Sequence, residues 1–128
     1  MVISDDKTLK DIQREFNDKF PYLKIEFYKT HHEPGEGSPV QERLDSEMTI
    51  GEARQTHEEG DLRVQSNMKV KTLEQNFSEK YGLHVQVFRK SGNLWIQTTS
   101  TDEWTLNEQN RKGGSSERAY QEKYDTEE

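Results

Sequence analysis

Cysteine is absent from the 128-residue chain, which excludes disulfides and thiol chemistry. Long apolar runs are absent as well. None approaches the roughly 20 residues that a membrane-spanning helix needs, and the N-terminus carries no apolar signal-peptide core. The expected location is therefore cytoplasmic. Apolar residues are scarce at 28%, against 34% charged, so a thin core and a wet surface are expected. Basic residues are in deficit, 18 against 25 acidic, for a net charge of −7. That balance disfavours non-specific binding to phosphate backbones or anionic membranes. No Cys-x-x-Cys or His-Glu-x-x-His spacing occurs, no glycine-rich phosphate loop follows a strand, and no nucleophile elbow is present. No catalytic residue, metal ligand or cofactor is assigned, and a non-catalytic protein is expected.

An internal repeat is present. Sliding the chain by 61 places Ile12 on Leu73, Phe16 on Phe77, Lys19 on Lys80 and Phe20 on Tyr81. With one residue dropped at the next turn, Leu23 meets Leu83, Ile25 meets Val85, Phe27 meets Val87 and Tyr28 meets Phe88. With four more dropped in the following loop, Val40 meets Ile96, Gln41 meets Gln97, Glu47 meets Glu103, Thr49 meets Thr105 and Glu52 meets Glu108. Both gaps fall in loops, where length changes are tolerated. The fold class expected is α+β: a tandem duplication of an αββα unit, an antiparallel sheet packed against helices with pseudo-two-fold symmetry. Residues 1–112 form one domain of two repeats, about 2–57 and 63–112, because a single unit of this size buries too little surface alone. Residues 113–128, opening on Gly-Gly-Ser-Ser and ending acidic, read as a disordered tail.

Spacings of three and four put Leu9, Ile12 and Phe16 on one helix face, and Val70, Leu73 and Phe77 on another. Asp6 and Asn67 stand where N-caps belong, and Ile3 and Val64 are each expected in a short strand. Thr49 to Glu52 and Thr105 to Glu108 spell the Thr-x-x-Glu capping box. Alternation over Leu23–Tyr28 and Leu83–Phe88 predicts strands. A turn at Ser91-Gly92 would set Phe88 opposite Trp95 and Val87 opposite Ile96. In the first copy the turn is longer, from Thr30 to Ser38, and Pro39 opens a return strand.

By strand parity, Tyr28, Phe88 and Trp95 share the second face of the sheet, ringed by Lys24, Glu26, His84, Gln86, Gln41 and Gln97. Aromatics inside a polar ring resemble the centre of a binding surface. The expected function is an interaction or adaptor module that binds a protein or small ligand through Tyr28, Phe88, Trp95, His84, Gln41 and Gln97, with homodimerisation as one form of partnering. Trp95→Ala and Phe88→Ala proteins are expected to stay folded and lose the partner. Two alternatives stand beside it: a metal-dependent enzyme or metal binder using the His31-His32 loop, and a single-stranded nucleic-acid binder using the stacked aromatics. The second lacks a basic groove, so nucleic acid is disfavoured.

Overall fold

The computed structural model describes residues 1–31, 33 and 35–125. His32 and residues 126–128, on which two of the expectations above partly rest, lie outside them. The chain runs β1 (Val2–Ile3), α1 (Leu9–Lys19), β2 (Leu23–Tyr28), α2 (Ile50–Ala53), β3 (Gly60–Asp61), α3 (Val70–Tyr81), β4 (His84–Ser91), β5 (Leu94–Gln97) and α4 (Leu106–Asp125). The architecture is α+β. Among the described residues, four helices accompany two antiparallel sheets, a two-stranded β1-β3 pair and a three-stranded sheet in the order β2-β4-β5.

Thr8 opens α1 with a capping box: its hydroxyl accepts from the Asp11 amide while the Asp11 carboxylate accepts from the Thr8 amide. The cap lies two residues beyond Asp6, because Thr8-Leu9-Lys10-Asp11 is itself a box of the Thr-x-x-acid type. At α3 the cap position is Lys69, two residues beyond Asn67, and no side chain caps it. Thr49 caps α2 as the sequence suggests, and Thr105 and Glu108 exchange the same two bonds at α4.

The first amides of a helix have no partner within it. Here they find one in another helix's entry segment. Leu9 and Lys10 donate to the carbonyls of Met48 and Ser46, while Ile50 and Gly51 donate back to Lys7 and Asp5. Val70 and Lys71 donate to Trp104 and Asp102, while Leu106 and Asn107 donate back to Met68 and Ser66. Isolated bridges Thr8↔Thr49 and Lys69↔Thr105 mark the two junctions.

The apolar faces predicted for α1 and α3 are the buried ones. They pack with Leu23, Ile25, Phe27, Val85 and Val87 from one sheet face, and with Ile3, Ile50 and Leu106, into one cluster. Phe27 meets Phe77 edge-on at 6.1 Å between ring centroids. Gly82, at φ +65°, closes α3, with the Leu83 amide returned to the Phe77 carbonyl. Arg54, just after α2, is buried. Its guanidinium donates to the Asp5 carboxylate at 2.7 and 3.0 Å and to the carbonyls of Glu58 and Tyr81, tying the N-terminus, the linker and the end of α3 together.

Four further expectations need correction. First, the β4–β5 turn is Gly92-Asn93, not Ser91-Gly92. Phe88 faces Gln97 and Arg89 faces Ile96. Gly92 supplies the positive φ that the first turn position demands, and the slip of two along β5 leaves every side chain on its expected face. Second, among the described residues the return strand expected from Pro39 onward is absent. Residues Val40–Glu42 form a 3-10 turn after Pro39, and only Glu42 to Leu44 touch the outer edge of β2, through Lys29 N–H to Glu42 and Leu44 N–H to Phe27. A segment holding two prolines and two glycines has too few free amides and too much backbone freedom to build a ladder. Third, Val64 is buried but not in a strand; β1 pairs with Gly60–Asp61 instead.

Fourth, residues 113–125 are not a disordered tail. They continue α4. The Gly-Gly pair is a packing device: a Cβ at Gly113 would sit 2.9 Å from the Tyr22 Cβ, and one at Gly114 would sit 2.9 Å from the Tyr22 ring. Asn110 accepts from the Tyr22 amide and Ser116 from the Gly92 amide, so α4 is held on both sides of this contact. In an isolated helix Gly→Ala stabilises by about 1 kcal/mol. Here Gly113→Ala is expected to lower the thermal midpoint instead, because the new methyl meets a Cβ and a backbone carbonyl that cannot swing away; a differential-scanning-calorimetry comparison checks the sign.

Candidate functional site

The second sheet face carries Lys24, Glu26 and Tyr28 from β2, His84, Gln86, Phe88 and Lys90 from β4, and Trp95 and Gln97 from β5. The structure breaks this face into three regions. Its centre is closed. Tyr28 and Phe88 are only 2% and 6% exposed, beneath the segment that joins β2 to α2. Gln97 anchors that segment by accepting from the Ser38 amide and donating to the Ser38 carbonyl. Ser38 also donates to Gln86, and Asp102 accepts from the Gly35 amide. Arg43 stacks 5.7 Å from the Phe88 ring centroid and pairs with Glu26. Burial pushes the Tyr28 phenol above its ordinary value, with Arg43 pulling the other way. Tyr28 and Phe88 are therefore core residues, and the expected open aromatic surface built on all three rings is corrected. Parity gives the side on which a residue stands but not what lies over it. Gln41 is exposed in the 3-10 turn, away from the ladder.

The second region is a groove beside α1. Trp95 is half-buried, and its ring leans across the sheet. Lys24, on the far strand β2, places its ammonium 5.2 Å from the indole centroid, and Lys90 places its own at 5.1 Å. Trp95, Lys24 and Glu26 line a groove of about 250 Å³ with Lys10, Gln13, Arg14 and Asn17 of α1. Gln13 and Asn17 close the outer edge of β2 by donating to the carbonyls of Ile25 and Leu23. Lys10 pairs with Glu47 and Lys24 with Glu26, while Arg14 forms no ion pair among the described residues. Three cations and one anion line this groove in a chain whose net charge is −7. The α1 residues escaped the sequence reading, although Lys10 and Arg14 stand one turn apart on the polar face of α1.

The third region is a cleft of about 140 Å³ beside α3, lined by His31, Glu33, Lys71, Glu74, Gln75, Ser78, Glu79 and His84. His31 and His84 meet edge-on, 5.7 Å between centroids. Ser78 Oγ is 3.3 Å from His31 Nδ1, and the Glu33 carboxylate is 3.7 Å from His31 Nε2. Glu74, mostly buried, accepts from the Val87 amide and from Gln86. The sequence assigned His84 to the aromatic surface; it stands with His31 instead. Among the described residues no group of three or more His, Asp or Glu is placed to hold a metal ion, and no helix is long and apolar enough to cross a membrane.

Comparison with protein-family models, with characterised proteins and with solved structures finds no match.

The burial pattern separates the aromatic residues experimentally. Phe88→Ala is expected to cost about 3 kcal/mol or more, the usual range for emptying a core phenylalanine site. Trp95→Ala is expected to cost roughly half that or less, since its ring is already part-solvated. Urea unfolding of the two variants measures the difference.

Proposed function

We propose that this chain is a non-catalytic interaction module whose contact site is the groove between α1, β2 and Trp95, and that it takes a partner segment bearing carboxylates. One observation carries the reading: an indole, flanked by the ammonium groups of Lys24 and Lys90, opens onto a groove that also holds Lys10 and Arg14. A part-buried aromatic anchor with a cationic rim suits an acidic peptide, because the ring supplies apolar area while the rim steers the charge.

We also infer that the two halves descend from one doubled unit. The junction bonds support it, since Leu9, Lys10, Ile50 and Gly51 and their aligned partners Val70, Lys71, Leu106 and Asn107 donate to aligned carbonyls. The pairs Ile25↔Val87 and Phe27↔Val85 exchange under the alignment, as a two-fold axis between β2 and β4 requires. Gln13 and its counterpart Glu74 each bond the backbone of their own half's strand. The groove and the cleft are lined by aligned residues as well: Lys10 and Lys71, Gln13 and Glu74, Arg14 and Gln75, Asn17 and Ser78, Lys24 and His84.

A second reading is divalent-metal binding in the cleft, favoured by the approach of the His31 and His84 imidazoles. Zinc titration followed by imidazole NMR decides it: shifts of both rings at stoichiometric metal support it, and unmoved rings end it.

The groove reading is tested in a Trp104→Phe background, where Trp95 is the sole indole. A glutamate-rich peptide should change Trp95 emission saturably, and a lysine-rich peptide should not. Lys24→Glu should weaken the response by about tenfold, the scale of one like-charge contact. An equal response to both peptides, or none to the acidic one, removes the reading.

A further inference from the structure

The two outer edges of the three-stranded sheet are treated differently. The β2 edge is closed: Leu23, Ile25 and Phe27 give their carbonyls to Asn17, Gln13 and the Leu44 amide. Among the described residues the outer edge of β5 has no such cover. The Thr98 amide donates to the Val87 carbonyl, so the alternation of an antiparallel ladder turns the backbone groups of Leu94 and Ile96 toward β4 and those of Trp95 and Gln97 outward. Among the described residues no backbone group pairs with that outward row. On the sheet face opposite Trp95, Leu94 is 65% and Ile96 36% exposed.

Natural edge strands are usually protected by charge, proline or a bulge. This one has none of these. From Ser91 to Thr101 no residue is charged, in a chain that is one-third charged. For a copy of the same chain that neutrality matters more than for any other partner. Two molecules of charge −7 repel each other, and a neutral edge is where that repulsion is smallest.

We propose that β5 pairs with β5 of a second copy across a two-fold axis, joining the two three-stranded sheets into one of six strands. The antiparallel register centred on Trp95 sets the outward backbone groups of the two Trp95 residues against each other. It also sets Leu94 of each copy opposite Ile96 of the other, as a non-hydrogen-bonded pair whose side chains approach most closely. Both exposed apolar residues are then covered by one contact. The acidic-peptide groove is not consumed, because the Trp95 ring leans inward to Lys24 and away from this edge. A four-residue edge makes a small interface, so the dimer forms in the micromolar range or weaker.

Sedimentation equilibrium on the full chain, from about 10 µM to about 1 mM, tests this over the range in which small interfaces dissociate. A reversible monomer–dimer equilibrium is expected. Ile96→Lys should raise its dissociation constant by about 100-fold or more, since each dimer would enclose two ammonium groups against Leu94. The same variant should bind the glutamate-rich peptide as the parent does, which separates this inference from the groove reading. Amide exchange at Trp95 and Gln97 in the unaltered chain should slow as concentration rises, and that measurement stands even where the variant folds poorly. A monomer throughout the range, a dimer indifferent to Ile96→Lys, or exchange at these amides independent of concentration overturns the proposal.

Discussion

Helix N-termini must find acceptors for their first amides, and in this protein they find them in one another. The entry to α1 and the entry to α2 lie side by side and exchange backbone bonds; α3 and α4 do the same. Setting two helix starts together also sets two positive dipole ends together, which is unfavourable unless negative charge is supplied. Asp11 and Glu52 supply it at one junction, and Glu103 and Glu108 at the other. The amides that Asp11, Glu52 and Glu108 accept from hold these carboxyls below their ordinary values, and Lys71 does the same for Glu103. Part of the net negative charge is thus structural, spent at helix starts. That leaves the cations of the α1 groove conspicuous.

With the helix starts pinned, α1 and α3 can only lie along the sheet with their apolar faces inward, and their polar faces meet the strand margins. Gln13, Asn17 and Glu74 use that position to bond strand backbone groups. The groove and the cleft are the spaces left beside these contacts. Their opposite character follows from the side chains that line them: Arg14, Lys24 and Gln13 in the groove, Gln75, His84 and Glu74 in the cleft.

Local periodicity exposed the helix faces, the strands and the capping boxes because each depends on residues a turn or less apart. What escaped depends on contacts across the chain. The Gly113-Gly114 pair reads as a flexible tail until Tyr22 is known to lie against it. The path of the β2–α2 segment is set by Ser38 with Gln97 and by Gly35 with Asp102, and those bonds turn Tyr28 and Phe88 from surface into core. Strand parity was right about which residues of β2, β4 and β5 share a face, and a slip of two in the hairpin did not disturb it, but it failed for Gln41, which stands in a 3-10 turn and not in a strand. The groove was partly readable: Lys10 and Arg14 repeat at helical spacing. Their meeting with Trp95 was not, because that indole arrives from the other half.

That last point bears on why the two halves stay in one chain. The groove is walled by α1 and β2 of the first half and completed by Trp95, from the hairpin of the second. The cleft is walled by α3 and β4 of the second half and completed by His31 and Glu33, from the loop of the first. Neither half alone would hold either site. If the halves are copies, their hairpins have diverged where divergence costs the core least. One tightened around Gly92 and presents an indole; the other lengthened and presents an imidazole and a carboxylate. A long loop is cheap in closure entropy, and here its cost is offset by the hydrogen bonds that seat it over Tyr28 and Phe88. The loop whose Ser38 and Gly35 are bonded over the sheet's centre thus also brings His31 and Glu33 to the cleft, which makes its length, more than any core residue, the feature that separates the two sites.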